Sequence, residues 1–371
     1  MSTIVTAIDP TDKAGLKRFI SLERKLMKGQ PKYISEIDDD VSKFLSGKSL
    51  MSKGMDIGLF VVSTDGVDVG RCAAIINKKF ITVKQPGTGF IGYFAAAKGA
   101  ENEVAALMES AEAWLKGKGM TKIIAPANGG APNSMGFLVA GFDEDPMFPF
   151  PWSPAYYPPY LEQLAYEPTY PLWYYEVDLS NDKYKAAKSK YASFDGAVIR
   201  PFSKKNWNKD VTILADMLNT TFINEWEFAP ASHEEMIEFF GPMKMILAPE
   251  QIQLAEVDGK PVGFCFAVPD LTPLFRSFNG SVGLTAIFKL LTRASKFNRA
   301  GILGIGVLDE YKGKGLAKAL ALKVYAYHES LGLKKSLYLP VNESNVDSRG
   351  FAESLGGVGR RMYQVYDKVI S

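Results

Sequence analysis

The chain reads Leu308-Asp-Glu-Tyr-Lys-Gly-Lys-Gly-Leu-Ala-Lys-Ala-Leu320 at the point where an apolar, strand-like segment ends and a long helical pattern begins. A helix that starts at such a turn directs unpaired backbone N–H groups and the positive end of its dipole towards one place, which suits phosphate oxygens. Glycine at positions 313 and 315 lets the backbone approach an anion closely, and Lys312 and Lys314 add positive charge. The segment therefore predicts an anion-binding strand–turn–helix unit.

Two better-known phosphate-binding patterns are missing from this segment. The pattern GxxxxGK[ST] does not occur, which excludes a P-loop nucleotide site. Lys318 stands where GxGxxG requires its last glycine, which argues against a dinucleotide site. A glycine-rich helix start that binds no ligand is the alternative interpretation.

The same turn resembles motif A of the GNAT acyltransferases, whose pattern is (Arg/Gln)-x-x-Gly-x-(Gly/Ala). Lys312-Gly-Lys-Gly-Leu-Ala317 fits that pattern except for the lysine in first place, and Val307-Leu-Asp-Glu-Tyr311 stands where Val-x-Pro-Glu-Tyr is typical. The likeness covers the second half of the chain, residues 198–371. A downstream signature of the family's fifth strand and fourth helix is matched by Val341, Asn345, Ser348, Phe351 and Gly356.

The resemblance implies a co-substrate, acetyl-CoA or another acyl-CoA, and no metal. An amine would attack the thioester directly, without a covalent enzyme intermediate, and a backbone N–H near Val307 or Leu308 would polarise the thioester carbonyl. Asn345 would lie near the pantetheine arm. The residues implied to bind the co-substrate are Val307, Leu308, Lys312, Gly313, Lys314, Gly315, Leu316, Ala317 and Asn345.

An internal repeat extends the prediction to the whole chain. Asp65-Gly-Val-Asp-Val-Gly-Arg-Cys-Ala-Ala74 and Asp258-Gly-Lys-Pro-Val-Gly-Phe-Cys-Phe-Ala267 share six of ten residues at a constant offset of 193. Each copy begins with an Asp-Gly pair between β-prone segments, which predicts a tight hairpin. Two unrelated Asp-Gly hairpins are the alternative. Similar strand and helix patterns follow in both copies, so duplication is the preferred interpretation.

The repeat predicts an α/β fold (α+β, mixed sheet) made of two tandem GNAT-like domains. We place a degenerate domain at residues 1–180, a linker at 181–196 and an acyltransferase domain at 197–371. The first half reads Phe94-Ala-Ala-Ala-Lys-Gly-Ala-Glu-Asn-Glu103 at its motif A position, without Gly-x-Gly and with carboxylates that repel phosphate. We therefore expect it to bind no CoA. The whole chain is similar to an uncharacterised group of bacterial tandem-GNAT proteins.

The second copy carries about 20 extra residues between its hairpin and its long helix, near 271–299. Apolar residues at 284, 287, 288 and 291 follow helical spacing. An extra helix that covers the core is one interpretation. A lid or wall for a hydrophobic acyl chain is the other.

The acceptor pocket is expected at Phe222-Ile-Asn-Glu-Trp-Glu-Phe-Ala-Pro230, after the first helix of the second half. Glu225 and Glu227 would hold or deprotonate a cationic amine, with Trp226 and Phe228 as walls. Core aromatics and solvated glutamates are the alternative. Tyr363, on the final strand, is a further catalytic candidate, for which ordinary packing is equally open.

Two features weaken the prediction of catalysis. Ala352 occupies the position of a tyrosine acid found in some family members, seven residues after Asn345. The strand before the turn has Gly304 and Gly306 and lacks the carboxylate base that some members carry there. A thiolate is a fairly good leaving group and water can relay protons, so neither loss excludes turnover.

The aromatic segment at residues 148–160 contains several prolines, including Pro158 and Pro159. It is predicted to be a packed loop between the domains, because its proline content disfavours a helix or a central strand. A lip of a binding site is the alternative.

Composition sets the remaining limits. With 371 residues, two domains are expected. The net charge of +2 gives no reason to expect nucleic acid or an anionic membrane as a partner. No apolar run is long enough to span a membrane, and no signal-peptide pattern occurs, so a cytoplasmic location is expected. Two cysteines and two histidines argue against a disulfide framework or a metal site.

These observations predict an acyl-CoA-dependent N-acyltransferase, acetyl by default, that acts on a small amine or amino-acid-like acceptor. One alternative is an enzyme similar to the long-chain N-acyl amino acid synthases, which the insert would explain. The other is a non-catalytic protein that binds acyl-CoA or another ligand.

Overall fold

A computed structural model describes residues 2–147, 150, 152–293 and 297–370. Its first half contains β1 (Thr3–Ile8), α1 (Lys13–Leu26), α2 (Asp38–Leu45), β2 (Asp56–Thr64), β3 (Val67–Ile76), α3 (Lys78–Val83), β4 (Thr88–Ala96), α4 (Glu101–Gly117), β5 (Lys122–Ala125), β6 (Phe137–Ala140), α5 (Tyr157–Gln163) and β7 (Glu167–Asp178).

After α6 (Asp182–Lys190), a similar order of elements follows in the second half. It contains β8 (Val198–Pro201), α7 (Trp207–Thr221), α8 (His233–Phe240), α9 (Met243–Ile246), β9 (Ile252–Val257), β10 (Lys260–Pro269), α10 (Thr272–Arg276), α11 (Leu284–Arg293), β11 (Ala300–Val307), α12 (Leu316–Ser330), β12 (Lys335–Asn342), α13 (Val346–Ser354) and β13 (Val358–Val369).

The two predicted hairpins are present. β2 pairs with β3 and β9 pairs with β10, both antiparallel. At each tip both central residues have positive φ, 49° and 81° at Asp65 and Gly66, and 49° and 73° at Asp258 and Gly259. This is the turn that matches the twist of the flanking strands, and it explains why the Asp-Gly pair occurs twice.

In each half the fourth and fifth strands part soon after they meet. β4 and β5 run parallel only from Thr88–Lys122 to Phe90–Ile124, and β11 and β12 pair only at Gly301–Leu337 and Ile302–Tyr338. A register shift in the ladder between β10 and β11 leaves Leu303 unpaired just beyond this point. Each half therefore contains a V-shaped cleft in its sheet.

The closing strands are exchanged between the halves. β13 lies between β5 and β7, and β7 lies between β13 and β12, so that one 13-stranded mixed sheet runs through both halves. β7 and β13 therefore pair across the two halves, and the division into residues 1–180, 181–196 and 197–371 stays a prediction.

The predicted linker is mostly helical. Asn181 caps α6 by accepting a hydrogen bond from the Tyr184 N–H at 2.8 Å. The Tyr184 side chain is buried against Tyr325, with ring centroids 5.9 Å apart. The segment is therefore packed on the second half along one face, and its lysines lie on the other.

The expectation that the proline-rich segment forms no helix was wrong for its last part. α5 starts at Tyr157 with Pro158 and Pro159 in its first turn. Proline is tolerated there because the N–H groups of the first turn have no partner within the helix. The residues at 148, 149 and 151 lie outside the described part of the chain.

The described part of the insert near 271–299 contains two helices, α10 and α11, joined by a non-helical segment. Ala286 and Phe278 are buried beside Ile37 of the first half. Phe288 is 67% exposed, so the outer face of α11 is apolar and open to solvent. The insert is therefore a helical cover over the junction of the two halves.

Candidate functional site

The turn before α12 has the geometry of an anion site. Gly315 is the N-cap of α12 with φ 96°, and no side chain caps the helix. Gly313 also has positive φ, 73°. Among the described residues, five successive or near-successive backbone N–H groups donate no hydrogen bond: those of Gly313, Gly315, Leu316, Ala317 and Lys318.

The charges around this turn are partly paired. Lys312 forms an exposed ion pair with Asp309 at 2.7 Å, and such pairs contribute little to stability. The ammonium of Lys318 lies 5.1 Å from the ring centroid of Tyr191. A phosphate bound at the turn would therefore meet backbone N–H groups first, with lysine charges at its rim.

Tyr191 is a site residue that the sequence analysis missed, since it lies in the predicted linker. A Cβ atom at position 315 would come within 2.7 Å of the Tyr191 ring, so only glycine fits there without movement. The absence of a side chain at 315 is thus required by packing as well as by the positive φ.

The strand that leads into the turn carries the expected backbone donor. The N–H of Leu308 donates to the carbonyl of Val262 at 3.0 Å and is not free to polarise a ligand. Successive residues of a strand direct their N–H groups to opposite edges. The N–H of Val307 therefore points to the cleft edge of β11, which makes Val307 the candidate donor of the predicted pair.

Glycine in this strand is explained by the helix packed behind it. A Cβ atom at Gly306 would lie 2.3 Å from Thr221 Oγ1 and 2.5 Å from the Phe264 ring. The end of α7 therefore occupies the space that a carboxylate side chain would need.

Asn345 links the cleft to the predicted acceptor loop. Its Oδ1 accepts from the Ser348 N–H at 2.9 Å and so caps α13. Its Nδ2 donates to Glu225 Oε1 at 2.9 Å. The structure thus brings together two predicted site residues that are 120 positions apart.

Glu227 is the most perturbed acid of the acceptor loop. Its Oε2 is buried without a hydrogen-bond partner. Burial, and then the nearby Glu225 carboxylate, raises the pKa of Glu227 to about 7. A carboxylate with a pKa near neutrality is suited to accept a proton in catalysis.

The walls of this loop come from the other half of the molecule. Trp226 stacks on Tyr170 with ring centroids 3.9 Å apart, and Ala131 donates its N–H to the Glu227 carbonyl at 3.1 Å. Lys84 donates to the carbonyl of Ile223, and burial lowers its pKa despite the nearby glutamates. Phe228 lies 6.1 Å from Phe222, ring to ring.

Local patterns gave no signal for Lys84, Ala131 or Tyr170, because each reaches the loop through tertiary contact only. The first half thus supplies one side of the acceptor loop.

A family model described as acetyltransferase (GNAT) family matches residues 212–357, which include the turn, the cleft strands and the acceptor loop. Residues 212–357, within the second half of the chain, are therefore similar to the GNAT family.

Two relatives match over nearly the whole chain. The bacterial ceramide synthase of Caulobacter vibrioides is 25% identical over 369 residues, covering 96% of this chain and 95% of that protein. Protein YghO of Escherichia coli is 26% identical over 370 residues, covering 97% and 94%.

Solved structures agree in fold. The tandem GNAT protein from the clavulanic acid biosynthesis pathway has a TM-score of 0.59 at 11% identity, with 99% of this chain and 98% of that chain covered. A probable N-acyltransferase from Enterococcus faecalis has a TM-score of 0.58 at 13% identity, covering 100% and 73%. The tandem GNAT architecture predicted from the repeat is confirmed.

The equivalent GNAT cleft of the first half is filled by the chain itself. Tyr157 Oη accepts from the Ala96 N–H at 3.1 Å. Tyr160 Oη accepts from the N–H groups of Gly99 and Ala100 at 3.0 and 3.3 Å, and donates to the Ala97 carbonyl at 2.7 Å. The backbone donors of Ala96, Gly99 and Ala100, which lead into α4, are therefore already paired.

Tyr363 lies on β13, and its side chain is buried in a core cluster that includes Ala229. Its ring packs on Tyr174 at 4.7 Å, and its hydroxyl is buried without a hydrogen-bond partner. Burial raises the pKa of Tyr363 to about 12, although the neighbouring Arg361 opposes the shift. A packing role explains this position, and a catalytic role for Tyr363 stays a prediction without a geometric argument.

Two absences hold for the described residues. No group of three or more His, Cys, Asp or Glu side chains is placed to hold a metal ion. No helix within the described ranges is long and apolar enough to cross a membrane.

Proposed function

We propose that the protein is an acyl-CoA-dependent N-acyltransferase with one active site, in its second half. The observation that carries the proposal is the group of unpaired N–H donors at Gly313 and at Gly315–Lys318, beside a cleft that ends at Asn345 and Glu225. These donors suit the pyrophosphate of CoA. Val307, Leu308, Lys312, Lys314 and Asn345 line the proposed path of the donor.

Each step of the proposed reaction uses a residue of this chain. Glu227 takes the proton from the amine, because a base with a pKa near 7 is ionised at neutral pH and still basic enough to compete for it. The Val307 N–H stabilises the negative charge that develops on the thioester oxygen. The new C–N bond forms as the C–S bond breaks, and CoA leaves as thiolate.

No tyrosine is available to protonate the leaving group at the expected position, since Ala352 is fully buried under the turn at Gly357. A thiol has a pKa of about 8.5, so its thiolate leaves without an acid and takes a proton from water. Glu225 positions Asn345 and adds negative charge that attracts an ammonium group.

We infer further that the donor is a long-chain acyl-CoA and that the acceptor is a long-chain amino alcohol. A ceramide is the amide of these two, and the relative that bears this name matches the present chain over nearly its full length. The apolar face of α11, with Phe288 and Ile287 exposed, supports a hydrophobic chain at the junction of the halves. An acetyl donor and an amino-acid-like acceptor are the competing assignment.

A non-catalytic acyl-CoA-binding protein is the second candidate function. It is favoured by Ala352 in place of a tyrosine and by Gly304 and Gly306 in the strand that carries a carboxylate in some GNAT enzymes. It predicts donor binding without any loss of thioester.

The first experiment is a thermal shift with CoA, acetyl-CoA and palmitoyl-CoA below its micellar concentration, on the wild type and on Gly315→Glu. We expect stabilisation of the wild type only, with the largest shift for palmitoyl-CoA. The amide product with sphinganine, detected by mass spectrometry, then separates enzyme from binder. No shift with any donor would refute the proposal.

A further inference from the structure

The first half contains a cavity of about 70 Å³ at the place where β4 and β5 part. Its lining includes Glu23, Glu36, Arg71, Asn128 and Trp152. One water needs about 10–15 Å³ by the same kind of measure, so the cavity has room for a small organic molecule. Its position corresponds to the reaction centre of a GNAT domain.

Buried donors line this cavity without acceptors. The Arg71 side chain is 2% exposed, and it uses Nη1 on the carbonyls of Phe19 and Ile20 and Nη2 on Glu23 at 2.5 Å. Its Nε, like Nε1 of Trp152, is buried and has no hydrogen-bond partner. Because a buried donor that is left unpaired destabilises the folded state, a ligand with acceptor atoms is expected.

The charge of the cavity favours a cation. Glu23 is balanced by Arg71, but the Glu36 carboxylate makes no hydrogen bond or ion pair with any described residue. Burial, and then the Glu23 charge, raises the pKa of Glu36 to about 7. An ammonium group beside Glu36 would stabilise the ionised form of this carboxylate.

The repeat shows that the fold itself does not need an arginine here. Phe264 occupies the position of Arg71 in the second hairpin, where it is buried against Phe222. The same backbone thus tolerates an apolar side chain at this point. The buried charge of Arg71 is unfavourable unless polar groups of the protein or of a ligand stabilise it.

The cavity is closed to CoA, because Tyr157 and Tyr160 occupy the backbone donors of this half. It is therefore a binding site and not a second centre of acyl transfer.

We propose that this cavity binds a small amino alcohol, with its ammonium group at Glu36 and its hydroxyl oxygens at Nε of Arg71 and Nε1 of Trp152. The ligand class follows from the surplus negative charge and from donors that lack acceptors. The proposal is independent of the acyl-transfer function of the second half.

The test is calorimetric titration of the full chain with 2-amino-1,3-propanediol. Glycerol, which lacks the ammonium group, and malonate, which has the opposite charge, are the comparison ligands. We expect millimolar binding of the amino alcohol and at least tenfold weaker binding of both others. Equal or tighter binding of glycerol or malonate would overturn the proposal, as would no binding of the amino alcohol.

Two matched variants locate the binding. Glu36→Gln keeps the size of the side chain and removes its charge, and it is expected to weaken the binding at least tenfold. Glu234→Gln makes the same change at an exposed position in α8 and is expected to leave this binding within twofold. An unchanged affinity in Glu36→Gln would overturn the proposal. Arg71→Met is less suited to the test, because Arg71 also anchors α1.

Discussion

The two halves present the same helix start to different partners. Before α12, the N–H groups of Gly313 and Gly315 are unpaired, whereas before α4 those of Gly99 and Ala100 are bonded to Tyr160. The backbone that leads into one helix is open to an anion, and the backbone that leads into the other is covered by a side chain of α5. The difference teaches that one tyrosine can occupy backbone donors that the other half leaves unpaired.

The acceptor sides are more alike than the donor sides. In the region that follows the first helix of each half, burial raises the pKa of one glutamate, Glu36 or Glu227, to about 7. The duplicated fold therefore has such an acid in both halves, whereas the Gly-x-Gly turn before the long helix occurs only in the second.

The largest effect is expected for the base of the second half. Glu227→Gln should lower kcat by about 10²–10⁴-fold, because a positioned base contributes that much to proton transfer. In the wild type, kcat/KM should rise up to about pH 7 as Glu227 loses its proton. Steady-state rates from pH 5.5 to 8.5 measure both effects.

The control for this prediction is Glu234→Gln, an exposed glutamate in the nearby α8. Its kcat/KM should depend on pH in the same way as that of the wild type. Retention of the rise near pH 7 in Glu227→Gln would assign the base to another group.

The two glycine turns offer a direct comparison of donor sites. Gly315→Glu should weaken CoA binding by about 10²–10³-fold, since the new side chain meets Tyr191 and its charge repels phosphate. Gly99→Glu places the same residue at positive φ, 79°, with no atom within 4 Å of its Cβ. It should leave the CoA affinity, measured by calorimetry, unchanged.

An equal loss of CoA affinity in Gly99→Glu would show that the first half contributes to CoA binding. Gly315→Ala, which adds the steric conflict without the charge, separates the two causes.

The two long helices differ in their response to acid. His328 on α12 is buried and bonded to Ser336 and Gln251 at 3.0 and 3.1 Å, and burial lowers its pKa to about 4. The unfolded chain therefore takes up a proton first, and stability is lost as the pH falls from about 6.5 to about 4. Aligned through Gly119 and Gly332, α4 has the apolar Leu115 at this position.

Urea unfolding at pH 7 and pH 4.5 should show a loss of about 2–3 kcal/mol from His328 alone. His328→Gln should be less stable at pH 7 and should lose less between the two pH values. An unchanged pH dependence in the variant would place the sensitive group elsewhere.

The smallest effect concerns the tyrosines that fill the first cleft. Tyr157→Phe should lower the free energy of unfolding by about 1 kcal/mol, because it leaves the buried Ala96 N–H unpaired. Tyr160→Phe should cost at least as much, since it removes the hydrogen-bond partner of the buried Ala100 N–H and of the Ala97 carbonyl. Neither variant should gain CoA binding, because Glu101 and Glu103 remain at the helix start.

Urea unfolding ranks the two variants, and a CoA titration tests the last point. Binding of CoA to the first half of the Tyr157→Phe, Tyr160→Phe double variant would show that the tyrosines alone excluded it.

Local sequence patterns predicted those features that depend on neighbouring residues. The structure contains three such features: the Asp-Gly turns, the start of α12 at Leu316, and a loop before α4 that lacks Gly-x-Gly. The exchange of β7 and β13 depends on pairing between residues almost 200 positions apart, which no local pattern encodes. Tertiary contacts of the same kind bring Lys84 and Tyr170 to the acceptor loop and Tyr191 to the turn before α12.

The position of β13 also bears on how the chain is made. A ribosome releases β5 and β7 long before β13, and the first half's sheet has a gap between those strands until β13 arrives. During translation β5 and β7 therefore each have an unpaired strand edge until β13, about 180 positions after β7, has been synthesised. Fragments that stop before Val358 are expected to be captured by chaperones or to aggregate, and neither half is expected to mature as a separately synthesised piece.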